Sequence, residues 1–131
     1  MKGLMVRFFC PRCWADFAKD FARCPKCGLN IPAFLESKDY VDRLILALGH
    51  PEKGTPVRAA WILGQLRRPE AVEALIESIR TTRDVYLARA AVKALGKIGT
   101  PEAIEFLKTL GRHPARTVSE EAVRILRDCR F

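Results

Sequence analysis

The stretch AAWILGQL at residues 59–66 recurs as AVKALGKI at residues 91–98, a shift of 32 positions. The same shift places PEAVE at residues 69–73 on PEAIE at residues 101–105. A further shift of 31 positions places the start of the second stretch on AVRIL at residues 122–126. A regular period of this length predicts a solenoid, in which each repeat stacks on its neighbours.

Within each repeat the apolar residues recur every three or four positions, which is the spacing of one buried face of a helix. The middle repeat shows this with Leu87, Ala91, Ala94, Leu95 and Ile98. We expect helices near residues 38–48, 55–66, 69–79, 84–98, 101–110 and 117–129. The predicted fold class is mainly α, with about two and a half repeats of helix pairs.

Several residues are typical of helix starts. Thr55 and Thr100 are each followed by proline, which predicts a threonine N-cap with proline in the first turn. Thr117 and Glu120 have the spacing of a capping box. Ser37 is the expected N-cap of the first helix.

Two closely spaced cysteine pairs precede the repeats: CPRC at residues 10–13 and CPKCG at residues 24–28. Two residues between cysteines allow a tight turn to bring both sulfurs to one tetrahedral centre. The candidate ligands are Cys10, Cys13, Cys24 and Cys27, and we expect one structural Zn²⁺ ion. Iron in the same cage and a thioredoxin-like redox pair remain alternatives.

The cysteine segment resembles zinc ribbons of the rubredoxin-knuckle type over residues 8–32. Phe8 and Phe9 before the first pair, and Phe21 and Ala22 before the second, are the expected strands. Gly28 can close its turn with a positive φ, whereas the first turn must close without glycine. We expect a ribbon and connector over residues 1–36, with Pro32 blocking a continuous helix, and helical repeats over residues 37–131.

The AA-x-x-LG core followed by PEA resembles HEAT-like repeats of the phycobilisome-lyase type, and the likeness covers residues 39–129. Such repeats occur in bilin lyases and in adaptors, so the resemblance implies a helical stack and an interaction role without implying lyase activity. Relatives with metal-dependent hydroxylase activity carry adjacent His-Glu pairs. Here His50 and His113 are each followed by proline, and we interpret both as turn residues at helix ends.

Acidic residues recur on the second helix of each pair, the helix that is expected to line the concave face. Asp39, Glu70 and Glu102 fall in first helical turns, where the helix dipole favours a carboxylate. The candidate partner-binding residues lie one turn deeper: Asp42, Glu73 and Glu105. They predict a protein partner with a basic or mixed surface.

Basic residues collect in the loops between repeats and offer a nucleic-acid alternative. The candidates are Arg80, Arg83, Arg112 and Arg116. A net charge of +8 permits such contacts without requiring them. A further basic stripe, Arg89, Lys93 and Lys97, is expected to pair with Glu120 and Asp128 of the next repeat.

The remaining aromatic and sulfur side chains are expected in the interior. Trp61 has an interior helix position, and Trp14 and Phe17 should pack within the ribbon rather than stack on bases. Cys129 continues the third apolar stripe and is expected to be a small core residue.

The sequence shows no triad and no base beside a nucleophile, so we predict a protein that is not an enzyme. The leading hypothesis is a non-enzymatic adaptor that binds proteins through the repeats, with a structural zinc ribbon at its N-terminal end. A nucleic-acid-associated zinc protein is the alternative. No apolar run is long enough to span a membrane, and no export signal is evident, so we expect a cytoplasmic protein. The last helix has a polar outer face, so we also expect a monomer.

Overall fold

The structure is a computed structural model and describes residues 7–128. It confirms the mainly α fold. Two short strands, β1 (Phe8–Phe9) and β2 (Asp16–Phe17), pair in antiparallel orientation. Within the described range they are followed by α1 (Ile31–Glu36), α2 (Tyr40–Ala47), α3 (Gly54–Leu66), α4 (Val72–Thr81), α5 (Val85–Ile98), α6 (Pro101–Thr109) and α7 (Arg116–Asp128).

The helices from α2 onwards form two layers. In the first layer α3, α5 and α7 pack side by side, and in the second layer α2, α4 and α6 lie against them. Short 3-10 turns at Pro69–Ala71 and Leu110–Arg112 precede α4 and follow α6. The predicted helix near 69–79 is therefore a 3-10 turn joined to a later α-helix. We call α2–α7 the stack.

Aliphatic side chains fill the space between the two layers. The largest fully buried residues of the stack are Leu63, Leu75, Leu95, Leu107, Val72, Val92 and Val118. Glycine allows the helices of the first layer to approach closely. A Cβ atom on Gly64 would lie 2.8 Å from Ala94 Cα, and one on Gly96 would lie 2.7 Å from Ile125 Cγ2.

The helix starts agree with the sequence in part. Thr100 caps α6 as predicted, because its Oγ1 atom accepts a hydrogen bond of 3.2 Å from the backbone N–H of Ala103. The prediction for Thr55 is wrong, since α3 begins at Gly54 without a side-chain cap. The capping box is also wrong: α7 begins at Arg116, which places Thr117 inside the helix.

The connector that we predicted at the end of residues 1–36 contains α1. The side chain of Asn30 caps this helix, and Pro32 lies in its first turn, where no N–H group is needed. Ser37 ends α1 and does not begin the next helix, so its predicted role is wrong. Asp39 caps α2 instead, because its side chain accepts a hydrogen bond of 2.8 Å from the backbone N–H of Asp42.

The strand predictions were half right. Phe8 and Phe9 form β1, but residues 21–22 lie outside both strands and β1 pairs with the unpredicted β2. Near the second cysteine pair there is an isolated antiparallel bridge between Arg23 and Asn30. We call residues 7–30 the ribbon. The division of the chain at residue 36 stays a prediction.

Candidate functional site

Each cysteine pair lies in a tight turn that is held by backbone hydrogen bonds. The N–H of Trp14 donates to the carbonyl of Cys10, and the N–H of Gly28 donates to the carbonyl of Cys24, both at 2.9 Å. Both donor residues have a positive φ, 60° for Trp14 and 79° for Gly28. Glycine adopts this conformation readily, whereas in Trp14 it is strained.

The two turns bring the four sulfur atoms together. All four Sγ atoms lie within 4.8 Å of one another. The distance is 3.6 Å from Cys10 to Cys27 and 3.7 Å from Cys13 to Cys24. Four sulfurs around one ion at a Zn–S distance of about 2.3 Å would be about 3.8 Å apart. The cluster therefore has the size of a tetrahedral metal cage, which zinc or iron could occupy.

The surroundings of the sulfurs shift their ionisation in opposite directions. A hydrogen bond from the Leu29 backbone lowers the pKa of Cys27 to about 6, although burial opposes this. The Ala15 backbone lowers the pKa of Cys13, but burial and the three neighbouring thiols outweigh it and raise the value to about 11. Thiolates so close together repel one another, and a bound cation would stabilise them in their ionised form.

Three arginines of the ribbon form hydrogen bonds or ion pairs within the ribbon. Arg12 donates to a carbonyl of the second cysteine turn at 3.2 Å, and Arg23 donates to another at 2.9 Å. Arg7 forms a 2.6 Å ion pair with Asp16 across the two strands. This hydrogen-bonded guanidinium lowers the pKa of the Asp16 carboxyl group. These arginines thus stabilise the local fold.

The ribbon contacts the stack at the turn after α2. The ring of His50 lies between two ribbon aromatics, with its centroid 4.4 Å from that of Phe9 and 5.0 Å from that of Trp14. Gly49 leaves room for the indole, because a Cβ atom there would lie 3.2 Å from Trp14 Nε1. Phe17 packs edge-on against Phe21 at 5.6 Å. Phe17 thus packs within the ribbon as predicted, whereas Trp14 packs against the turn after α2.

Both histidines have the predicted turn role. His50 Nδ1 accepts the N–H of Glu52, and His113 Nδ1 accepts the N–H of Ala115, each at 3.0 Å. Among residues 7–128, the four cysteines are the only cluster of three or more His, Cys, Asp or Glu side chains close enough to share a metal ion. Cys129 lies outside the described residues.

The acidic partner-binding candidates are exposed on the second layer. Asp42 lies in α2, Glu73 in α4 and Glu105 in α6. Glu105 forms a 3.0 Å ion pair with Lys108 of the same helix. The structure thus spreads the three carboxylates over three helices, and partner binding by them stays a prediction.

The four arginine candidates lie at helix ends or in the connections between helices, and nucleic-acid binding by them stays a prediction. Arg80 lies 5.3 Å from the ring of Phe106, and Arg116 pairs with Glu120 at 2.7 Å. Arg112 is exposed in the 3-10 turn after α6. Of the four, Arg83 alone lines a large cleft between α3 and α5.

This cleft is the feature that the sequence predictions missed. The side chains of Arg89, Lys93 and Lys97 line it, and none of the three forms an ion pair within residues 7–128. Their predicted pairing with Glu120 and Asp128 is therefore wrong. Trp61 also lines the cleft with 59% of its surface exposed, so the predicted interior position is wrong. A helical pattern alone does not show which side chains of two neighbouring helices stay open to solvent.

No described helix has the length and apolar character required to cross a membrane. No solved structure showed significant similarity to the chain.

Several characterised proteins are similar to parts of the chain. The bilin biosynthesis protein PecE of Mastigocladus laminosus is 42% identical over 62 residues, which cover 46% of this chain and 23% of PecE. Deoxyhypusine hydroxylase of Bos taurus is 39% identical over 62 residues, covering 47% of this chain and 20% of the enzyme. Deoxyhypusine hydroxylase of Chaetomium globosum is 29% identical over 113 residues, covering 84% of this chain and 30% of the enzyme.

The aligned segments thus span less than a third of these relatives. The family model for HEAT repeats matches residues 41–127, which include most of the stack and none of the cysteines. The chain belongs to the HEAT-repeat family.

Proposed function

We propose that this chain is a non-enzymatic adaptor, whose HEAT repeats bind a protein partner and whose ribbon is held together by one structural zinc ion. HEAT stacks commonly serve as binding scaffolds. Membership of the family supports the interaction role and leaves the partner open. A cytoplasmic location fits cysteines that serve as metal ligands rather than disulfides.

The observation that carries the adaptor proposal is the exposure of large aromatics on a stack whose own core is closed. Trp61 and Tyr86 expose 59% and 74% of their surface on the first layer. Aromatic side chains are enriched in protein interfaces and often dominate their binding energy. Their positions on α3 and α5 indicate a surface that is completed by another molecule.

The residues of the stack support a non-enzymatic role. Relatives of the chain include enzymes, but both histidines here accept backbone hydrogen bonds in turns. The four cysteines would fill all positions of a tetrahedral ion and leave none for water or substrate. We therefore assign the metal a structural role.

Zinc is the metal that fits this proposal. The sulfur separations match a tetrahedral cage, and zinc is the usual ion in four-cysteine structural sites. Metal analysis of the purified protein should give one zinc ion per chain and a colourless sample. Stoichiometric iron with visible thiolate-to-iron absorption would make the ribbon an electron carrier.

Nucleic-acid binding is the second candidate, and the basic cleft favours it. The two candidates separate in one experiment: the tagged protein is used to capture partners from a host lysate, with and without nuclease. An adaptor should retain its protein partners after nuclease treatment and lose them when Trp61 and Tyr86 are both changed to Ala. If nuclease removes every partner, the adaptor proposal is wrong.

The same capture experiment also tests the acidic partner-binding candidates. Reversal of Asp42, Glu73 and Glu105 to Lys tests whether the second layer also contributes to partner capture. The adaptor proposal assumes a monomer, which sedimentation at several protein concentrations would check.

A further inference from the structure

The cleft between α3 and α5 has a volume of about 1410 Å³. Pockets for small molecules usually have volumes of about 300–1000 Å³. The cleft is open along one side of the first layer, so its size and shape suit a segment of a macromolecule better than a small ligand. We call it the α3–α5 cleft.

The lining of the α3–α5 cleft is strongly basic. Asp84 is the one acidic residue in the lining, and its carboxylate already accepts the backbone N–H of Tyr86 at 2.9 Å as the cap of α5. The basic residues form no ion pair within residues 7–128. Six basic side chains line the cleft: Lys53, Arg58, Arg83, Arg89, Lys93 and Lys97.

Three of these bases form a row along α5. Arg89, Lys93 and Lys97 are spaced four residues apart, which places successive side chains about 6 Å apart along one helix face. The Nε atom of Arg89 is buried and has no hydrogen-bond partner in the described part of the chain. A buried donor of this kind needs an acceptor, and a carboxylate on a bound segment would supply one if the Arg89 side chain turned towards it.

Beside this row the cleft is lined by apolar side chains. Val57 and Ile62 of α3 and Ala90 of α5 contribute aliphatic surface, with Trp61 next to them. The Lys97 ammonium group lies 5.9 Å from the centre of the Trp61 ring. A nucleotide base would have to displace this lysine to stack on that side of the indole.

We propose that the α3–α5 cleft docks an acidic amphipathic helix of a partner protein. The proposal rests on the adaptor function above and names the chemistry of the partner. Carboxylates at every fourth position of a helix repeat with the same 6 Å spacing as the basic row on α5. The apolar stripe of such a helix would cover Val57 and Ile62, as in other helix-in-groove complexes.

The test uses three fluorescein-labelled probes with the full, metal-loaded protein. They are a twelve-residue amphipathic peptide with glutamates four residues apart, a peptide of the same pattern with lysines in place of the glutamates, and a twelve-nucleotide oligouridylate. Fluorescence anisotropy should show binding of the acidic peptide and none of the basic peptide.

The variant that tests the cleft changes two exposed basic residues of the row on α5. The combined change Lys93→Glu and Lys97→Glu should weaken the binding of the acidic peptide by about tenfold or more, since each exposed pair becomes a repulsion. Lys108→Glu with Arg127→Glu makes the same change in net charge outside the cleft and should leave the affinity unchanged. Circular dichroism of both variants would verify that they fold.

Each of the other possible results overturns either the docking proposal or the adaptor proposal. Equal loss in both double variants would mean non-specific attraction and would overturn the docking site. Tight binding of oligouridylate that the cleft variant abolishes, without peptide binding, would replace the adaptor with a nucleic-acid protein. If no probe binds while nuclease-resistant partners are still captured, the cleft proposal fails and the adaptor proposal stands.

Discussion

The ribbon and the stack are stabilised in different ways. In the ribbon only Cys10, Pro11 and Cys24 are buried, and two of these are candidate metal ligands. In the stack, aliphatic residues from every helix from α2 to α7 form one continuous core. The ribbon therefore has no apolar interior of its own, whereas the stack buries enough apolar surface to fold without a metal.

This difference indicates where each region is vulnerable. The ribbon should depend on thiolate chemistry and respond to chelators, acid and oxidants. The stack should depend on packing and respond to changes of side-chain volume. The contact of His50 with Phe9 and Trp14 joins the two regions, but it involves few residues.

The largest expected effect is the loss of the metal from a ligand variant. Cys24→Ser should abolish stoichiometric metal binding, because structural zinc contributes about 10–16 kcal/mol of binding free energy that needs all four thiolates. Far-ultraviolet circular dichroism should change little, since the helices lie in the stack. Metal analysis and circular dichroism of the same sample would measure both. Cys129→Ser, which also removes one thiol, is the control and should retain the metal.

A substitution in the core of the stack should have the opposite effect: the stability should fall and the metal should stay bound. Leu95 is fully buried between the layers, and Leu95→Ala should lower the free energy of unfolding by about 2–5 kcal/mol. The purified folded variant should still carry one metal ion. Urea denaturation followed by circular dichroism would measure the change, and a loss of metal from the folded variant would show that the two regions are not independent.

A smaller effect is expected where two helices of the first layer touch. Gly64→Ala would place a Cβ atom 2.8 Å from Ala94 Cα. The overpacking should cost about 1–3 kcal/mol and exceed the gain of up to about 1 kcal/mol in helix propensity. A Cβ atom on Gly111 would meet no atom within 4 Å, so Gly111→Ala is the control. Equal stabilities of the two variants would contradict the close helix contact.

The smallest effect concerns a helix cap. Thr100→Ala should destabilise the stack by about 0.5–2 kcal/mol, because Thr100 Oγ1 accepts a backbone hydrogen bond at the start of α6. Thr117→Ala should be close to neutral, since Thr117 lies inside α7 and caps nothing. Thermal unfolding of the two variants would compare them. A larger loss for Thr117 would restore the predicted capping box.

The repeat pattern was sufficient to predict the fold. Equivalent apolar positions such as Leu63 and Leu95 are buried in successive helices, because the period of the sequence is also the period of the stack. The four cysteines were predictable as a cluster because a C-x-x-C turn constrains its sulfurs locally. Such features depend on short-range geometry.

Features that depend on tertiary distances were not predictable. Trp61 has a position within the apolar pattern of its helix, yet 59% of its surface is exposed and it lines the cleft between α3 and α5. Arg89 and Lys97 have acidic counterparts 31 positions later, Glu120 and Asp128. No ion pair joins them within residues 7–128. The wrong cap predictions for Thr55 and Ser37 have a similar cause. Several polar residues lie near each helix start, and the sequence does not show which of them precedes the first helical turn.

The most direct measurement is hydrogen exchange by mass spectrometry on the protein with its metal and after chelation. We expect residues 8–30 to exchange as fast as an unfolded chain once the metal is removed, whereas α3 and α5 keep their protection. Continued protection of the ribbon without metal would contradict a metal-dependent ribbon. Loss of protection in α3 and α5 on chelation would contradict a stack that folds by itself.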